Sequence, residues 1–360
     1  MSVAAQLRPS ALPVPRVTRS RRPVAATGLA GVLVVIAMAV LPLFVDAGTT
    51  DALINLLVLI TIALMWNLLA GYAGLVSVGQ QAFIGLGAYL VLILAQRGLD
   101  PYQALPLAAL GCALLAIPIW WLVRNLRGGY FAIATWVIAD ACQLIISHFA
   151  SLGGGTGIGL PGMDGYAPAQ LTTFTYWAGL AVTVGSIVLV YLVLRSRLGL
   201  VLTAVRDDEV GARSVGSRVA WTKRLVFIVA ALGCGAAGGV VIIAQLNVEP
   251  VAAFSINYAA EMIFITVIGG IGSIEGSIIG AIVFFALQQL LAAQGTWYLI
   301  LLGAVAIVIS LWTPSGLWGL IARRVRVRAF PVGYWVWPAS PAPPVSPPPP
   351  PPPPAEPSGL

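Results

Sequence analysis

The chain is 360 residues long, 59% hydrophobic and only 9% charged, with a net charge of +7 and a mean hydropathy of +0.96. Repeated windows of about 20 apolar residues match a bilayer core of roughly 30 Å and exclude the soluble classes. The positive charge is then a membrane-topology signal rather than a nucleic-acid footprint, and three cysteines in apolar segments without C-x-x-C spacing exclude a disulfide framework or a zinc site.

Residues 1–25 form a basic N-terminal tail, expected to be disordered, with five arginines before residue 23. The apolar stretch that follows is longer than the 7 to 15 residues typical of a signal-peptide core, so it reads as a first transmembrane helix. Ten apolar segments are marked along the chain: 26–45, 52–71, 80–96, 104–123, 130–149, 175–194, 224–245, 256–273, 277–294 and 296–313. The expected fold is all-α, a polytopic transmembrane helical bundle of about ten spans. With residue 1 cytoplasmic and every segment crossing, all Lys and Arg residues except Arg97 fall on the cytoplasmic side, eighteen of nineteen. Positive charge accumulates there, so the N- and C-termini are both expected to be cytoplasmic.

The eighth segment contains Glu261 and ends among Gly269, Gly270 and Gly272. A re-entrant hairpin would expose the arginines at 323, 324, 326 and 328 on the outside, so a true crossing, with a break in it, fits the charge pattern better. Beyond residue 325 the chain becomes a proline-rich tail, residues 326–360, with eight consecutive prolines at 347–354. Proline fixes φ and removes a donor, so this tail is expected to be extended and disordered.

Five motifs recur in a consistent order: NLLAGYAGLVSVGQQAFIGLGAY at 67–89, RGGYFAIATWVIAD at 127–140, GGGTGIGLPG at 153–162, RSRLGLVLTAVRDDEVGARSVG at 195–216 and VIGGIGSIEGSIIGA at 267–281, followed by SGLWGLI at 315–321. Together they resemble the permeases of branched-chain amino acid ABC importers, in particular the LivM-type subunit, over about residues 26–325. The resemblance implies one permease domain, import of branched-chain amino acids, and a bacterial inner-membrane location. It also implies a second, LivH-type permease, two cytoplasmic ATPase subunits that bind the ATP, and an extracytoplasmic binding protein that meets the glycine-rich loop 150–174.

The stretch 206–216, RDDEVGARSVG, stands out because ten of the 31 charges lie in residues 195–224. Asp207 or Asp208 suits a helix N-terminus, where the dipole is positive. Glu209 and Arg213 are four apart in the favourable order, and Gly216 is a natural C-terminal stop. Gly211 and Ala212 leave a low surface open to a partner. The resemblance makes the loop 195–223 the site of a coupling helix docking on the ATPase, through Arg206, Asp208, Glu209, Ala212 and Gly216. Glu209 and Ala212 keep the family's pattern, whereas Gly211 replaces its usual alanine and lowers helix propensity by about 1 kcal/mol. The bland alternative is a solvated basic loop.

Ionisable and amide groups within spans are functional candidates by default. Gln80, Gln81, Asp140 and Gln143 are the candidates for a translocation pathway. Asp140 lies mid-segment with Gln143 one turn on, where the family often carries arginine, and a structural hydrogen bond is the competing role. Asn55 and Asn67 are candidates for stitching helices together. Gly272, Gly276 and Gly280 form a G-x-x-x-G-x-x-x-G row suited to close helix packing. No P-loop is present, because Thr222 rather than glycine precedes the only lysine, Lys223. The chain is therefore expected to hold no cofactor and to draw its energy from partners. An ion-coupled secondary transporter, or the same scaffold importing urea, short amides or other amino acids, is the alternative. An enzyme is excluded by the lack of a convergent set of catalytic groups.

Overall fold

A computed structural model describes residues 16–18, 22–214, 216–291, 297–313, 316–325 and 335–337. Fourteen helices follow one another among them: α1 (Arg22–Val40), α2 (Ala47–Asn67), α3 (Gln81–Gln96), α4 (Pro101–Val123), α5 (Gly129–Ser147), α6 (Pro168–Arg195), α7 (Arg197–Asp207), α8 (Glu209–Ser214), α9 (Val219–Gln245), α10 (Pro250–Ala253), α11 (Ile256–Gly269), α12 (Ile274–Leu291), α13 (Trp297–Trp312) and α14 (Gly316–Val325). Each of the ten apolar segments contains one of them. The expected tails lie mostly outside the described residues, except that Arg16–Thr18 pairs antiparallel with Trp335–Trp337.

Local chemistry sets several helix boundaries. Asp46 opens α2 by accepting from the Thr49 amide at 3.0 Å, and the hydrogen bond from the Thr49 hydroxyl, with that from the amide, holds its carboxyl below the ordinary range. Asp100 opens α4 by accepting from the Tyr102 amide at 2.9 Å, with Pro101 at the first helical position. Its other oxygen accepts from the Tyr166 hydroxyl at 2.6 Å, which raises the Tyr166 pKa.

Seven helical segments among the described residues are long and apolar enough to cross a membrane: Ala47–Tyr72, Pro101–Val123, Gly129–Ser147, Pro168–Arg195, Val219–Gln245, Pro250–Gly269 and Ile274–Leu291. Helix α3 has 16 residues, about 24 Å at 1.5 Å per residue, against a core of roughly 30 Å. Within the eighth segment α11 runs unbroken from Ile256 to Gly269, and the short helix α10 lies just before it. This all-α, multi-pass architecture is that of an integral membrane protein.

Helices α2 and α9 form the centre. In their most apolar windows 78% and 83% of residues are buried, against 22% in α5. Glycines let α9 approach its neighbours. A Cβ on Gly238 would fall on the Ile84 backbone of α3, and one on Gly235 would meet the Cys112 side chain of α4. Thr183 of α6 and Thr61 of α2 share a buried hydroxyl contact at 3.0 Å. Tyr176 and Trp177 of α6 donate to the Met38 and Ala39 carbonyls of α1 at 2.9 and 3.0 Å.

The connection from α2 to α3 departs from the sequence reading. Residues 72–79 separate the second and third apolar segments, and the charge count that puts residue 1 in the cytoplasm makes them a cytoplasmic loop. Instead α2 continues as a π-helical turn, Leu68–Tyr72, and most of residues 73–80 run buried and non-helical. Non-helical backbone at this depth needs internal partners. Trp66 Nε1 donates to the Ser77 carbonyl at 2.7 Å, and the Val78 amide donates to Thr135 Oγ1 at 3.3 Å.

Candidate functional site

The charged stretch folds as two short helices rather than one loop. Ser196 caps α7 by accepting from the Leu198 amide at 3.1 Å, and α7 buries Gly199, Leu202 and Val205. Asp208 then leaves helical geometry, with φ −152°, and its Oδ1 accepts from the Val210 amide at 3.0 Å. Its carbonyl accepts from the Ala212 amide at 2.9 Å, so it is the residue that opens α8. Asp207 instead ends α7 and pairs with Arg206 at 2.9 Å on the exposed surface. Gly216 closes the unit with φ +82°, a conformation that favours glycine.

Glu209 is clamped from two sides. Its Oε1 accepts from Arg213 Nη2 at 2.6 Å and its Oε2 from Lys223 Nζ of α9 at 2.9 Å. The Lys223 hydrogen bond holds the Glu209 carboxyl below its ordinary value of 4.5 against the opposing effect of burial, and the Lys223 charge and the Arg213 bond add to the lowering. Spacing revealed the Arg213 partner but not Lys223, which is fourteen residues away.

Ala212 corrects the expected docking surface. It is 4% exposed and packs inward against Val205 and Val219, because this side of the short helix faces α7 and α9. The outward apolar group is Val210, 74% exposed. An apolar residue inside a charged run was the available sequence signal for it.

A second feature was invisible from spacing. Arg206 Nη1 donates to the Gly71 carbonyl, in the π-helical turn, at 3.1 Å. One turn earlier, fully buried Asn67 accepts from the Gly272 amide at 2.8 Å through Oδ1. Its Nδ2 donates to the Ser273 carbonyl at 2.8 Å and to Ser277 Oγ at 2.9 Å. A chain of polar contacts thus links α7 to the end of α2 and on to the α11–α12 turn. Asn55, the other stitching candidate, is exposed.

Gly272 therefore does not extend the helix-packing row. It lies in the turn before α12 with φ +81°, where the short connection demands a left-handed residue. Gly276 and Gly280 do lie in α12, against Gly269 of α11, where a Cβ would collide with backbone.

The four pathway candidates are not brought together. Gln80 and Gln81 are fully buried at the start of α3. Gln80 Nε2 lies 3.4 Å from Ser77 Oγ, and the Cys234 thiol lies 3.7 Å from Gln80 Oε1, whereas among the described residues neither end of the Gln81 amide has a partner. Asp140 is exposed on the outer face of α5, with Gln143 half-buried. At the opposite end of the bundle from α8, a cavity of about 320 Å³ opens between the loop Thr156–Gly159 and the ends of α9 and α10. Its polar lining is Thr156, Gln245, Asn247, Glu249 and Tyr258, none of the four candidates. The glycine-rich loop is held there by antiparallel pairing of Ile158–Gly159 with Asn247–Val248. No cluster of three or more His, Cys, Asp or Glu suited to a metal occurs among the described residues.

The family profile of the branched-chain amino acid transport system permease component matches residues 48–310. The chain is 26% identical over 324 residues to the high-affinity branched-chain amino acid transport system permease protein LivM of Salmonella typhimurium strain LT2, covering 82% of this chain and 76% of that protein. It is 27% identical over 314 residues to LivM of Escherichia coli strain K12, covering 80% and 74% respectively. No solved structure gives a significant match. These relatives are transport permeases and not enzymes, and the profile covers most of the chain. With a multi-pass bundle and a family profile spanning residues 48–310, the chain belongs to the branched-chain amino acid transport permease family.

Proposed function

We propose that this chain is a LivM-type transmembrane subunit of an ABC importer for branched-chain amino acids, driven by partner ATPase subunits through residues 207–216. It works beside a LivH-type permease in the bacterial inner membrane and receives substrate from an extracytoplasmic binding protein. Ten crossings with both ends cytoplasmic fit the distribution of Lys and Arg. The observation that carries the proposal is the Arg206–Gly71 hydrogen bond. Through it, displacement of α8 and α7 acts on the end of α2, and Asn67 passes it to the α11–α12 turn. A solvated basic loop has no use for such a link.

The outer face of α5 supports the second permease. A charged side chain facing lipid at mid-helix costs about 2.5 to 3.5 kcal/mol, so exposed Asp140 calls for a polar partner across that face.

Glu209→Lys tests the coupling role. It replaces a carboxylate clamped by two cations with a third cation, costing about 2 to 5 kcal/mol at a docked interface. The variant should reach the membrane in normal amount, lose its co-purifying ATPases at least tenfold, and lose substrate-stimulated ATP hydrolysis with uptake. Normal ATPase retention and transport would refute the role. The wild-type clamp also has a defined pH window. Because the folded carboxyl sits below 4.5, its contribution is complete above that pH and is lost as pH falls through the lowered value. ATPase retention should thus be flat between about pH 6 and 8 as far as Glu209 is concerned.

A further inference from the structure

A groove of about 600 Å³ runs between the last turns of α4 and the start of α9, on the side of the bundle rather than its end. Trp120, Trp121 and Trp221 line it, with Arg124 and Arg224 among its lining. Trp121 and Trp221 are 65% and 45% exposed, and the Arg124 guanidinium sits 5.3 Å from the Trp121 ring centroid. Toward the middle of the membrane, α4 presents Leu107, Leu110, Leu114 and Ile117, all exposed and spaced along one helix face. Arg213 and Lys223 nearby are committed to Glu209. Among the described residues neither Arg124 nor Arg224 has a carboxylate partner.

We propose that this groove binds an anionic phospholipid, with one acyl chain along the apolar face of α4 and the headgroup phosphate between Arg124 and Arg224. Three features on one surface carry it. The indole rings stand where an interfacial aromatic belt stands. The apolar stripe leads away from them into the hydrocarbon. The two guanidinium groups favour a headgroup of net negative charge, because a zwitterionic one would bring its own cation among them. Basic pockets beside membrane helices select anionic lipids on these grounds, at about 1 kcal/mol, or roughly fivefold, per cation near the surface. The proposal rests on membrane placement alone and stands apart from the transport assignment.

Native mass spectrometry of the full chain tests it, with phosphatidylglycerol and phosphatidylcholine of matched acyl chains. The wild type should retain phosphatidylglycerol at least tenfold better. Arg124→Gln with Arg224→Gln should reduce that preference to within about twofold, while the paired Lys substitutions should keep most of it. Preference unchanged in the Gln pair overturns the site. Displacement by millimolar glycerol 3-phosphate overturns the lipid assignment in favour of a soluble phosphate. Loss of the ATPases from the Gln pair at unchanged lipid preference assigns the arginines to a protein partner and also overturns it. A wild-type measurement covers a misfolded variant: in reconstituted bilayers, phosphatidylglycerol brominated on its acyl chains should quench tryptophan fluorescence more than equally brominated phosphatidylcholine. Equal quenching refutes the proposal.

Discussion

Helices α5 and α9 are both long and apolar enough to span a membrane, yet they occupy opposite places in the bundle. Helix α9 is surrounded by α2, α3, α4 and α6, while α5 turns Tyr130, Ile133, Val137 and Leu144 outward. The distinguishing residues are glycines. Helix α9 carries Gly233, Gly235, Gly238 and Gly239, each facing a neighbour that a Cβ would touch, whereas the glycines of the α5 region sit only at its start. Hydropathy reports that a segment lies in a membrane. The smallest side chains report how many helices surround it.

The sharpest way to break this contrast is to add volume to each helix. In Gly238→Val the new carbons fall on the Ile84 backbone, which cannot rotate away, so a cost of about 3 kcal/mol or more is expected. In Ala141→Val, on the exposed face of α5, the change should stay within about 0.5 kcal/mol. Melting temperatures in detergent, with size-exclusion profiles, compare the two directly. Equal shifts would end the distinction between a central and a peripheral helix.

Gln81 sharpens the same comparison from the interior. Its amide is fully buried with no partner at either end, a desolvation penalty of about 1 to 3 kcal/mol. Gln81→Leu keeps nearly the same volume and should raise stability by that order. If Gln81 also meets the substrate, uptake falls as the melting temperature rises. A lower melting temperature would show that the amide has a partner in the membrane.

The smallest expected effect on stability is that of Asp140→Asn. Because Asp140 projects from α5, Asp140→Asn should change the isolated chain by no more than about 0.5 kcal/mol, whereas Asp140→Leu should stabilise it by up to the about 2.5 to 3.5 kcal/mol that a charge facing lipid costs. Transport should separate them, with Asn retaining uptake if the role is hydrogen bonding and both failing if charge is required. Full uptake in both variants would remove Asp140 from the pathway and from the subunit contact.

Much of this was legible in the sequence where one physical rule dominates. Ten apolar runs each contain a helix because no other structure satisfies backbone groups in hydrocarbon. The Asp208 cap, the Glu209–Arg213 pair and the Gly216 stop are local, so spacing alone exposed them. Elsewhere the reading failed for a common reason. Helix α7 looked like loop because its charges hid the inward Gly199, Leu202 and Val205. The segment 73–80 looked solvated because it is rich in small and polar residues, yet its partners are Trp66 and Thr135. Gly272 had the spacing of a helix row, but the following helix begins only at Ile274. Lys223 and Gly71 lie 14 and 135 residues from the groups they bind, beyond any local pattern.

The central position of α9 also has a consequence for synthesis. Its packing partners α2, α3, α4 and α6 all precede it in the chain. Until residues 219–245 have left the ribosome, Gly87 of α3 and Cys112 of α4 lack the surface they pack against. Short α3 packs more extensively on α9 than on α4, the helix that directly follows it. The bundle therefore closes late, around a helix from the second half of the chain, and a polypeptide arrested before residue 219 exposes its central seam. Such long-range closure slows folding and prolongs the time in which wrong contacts compete.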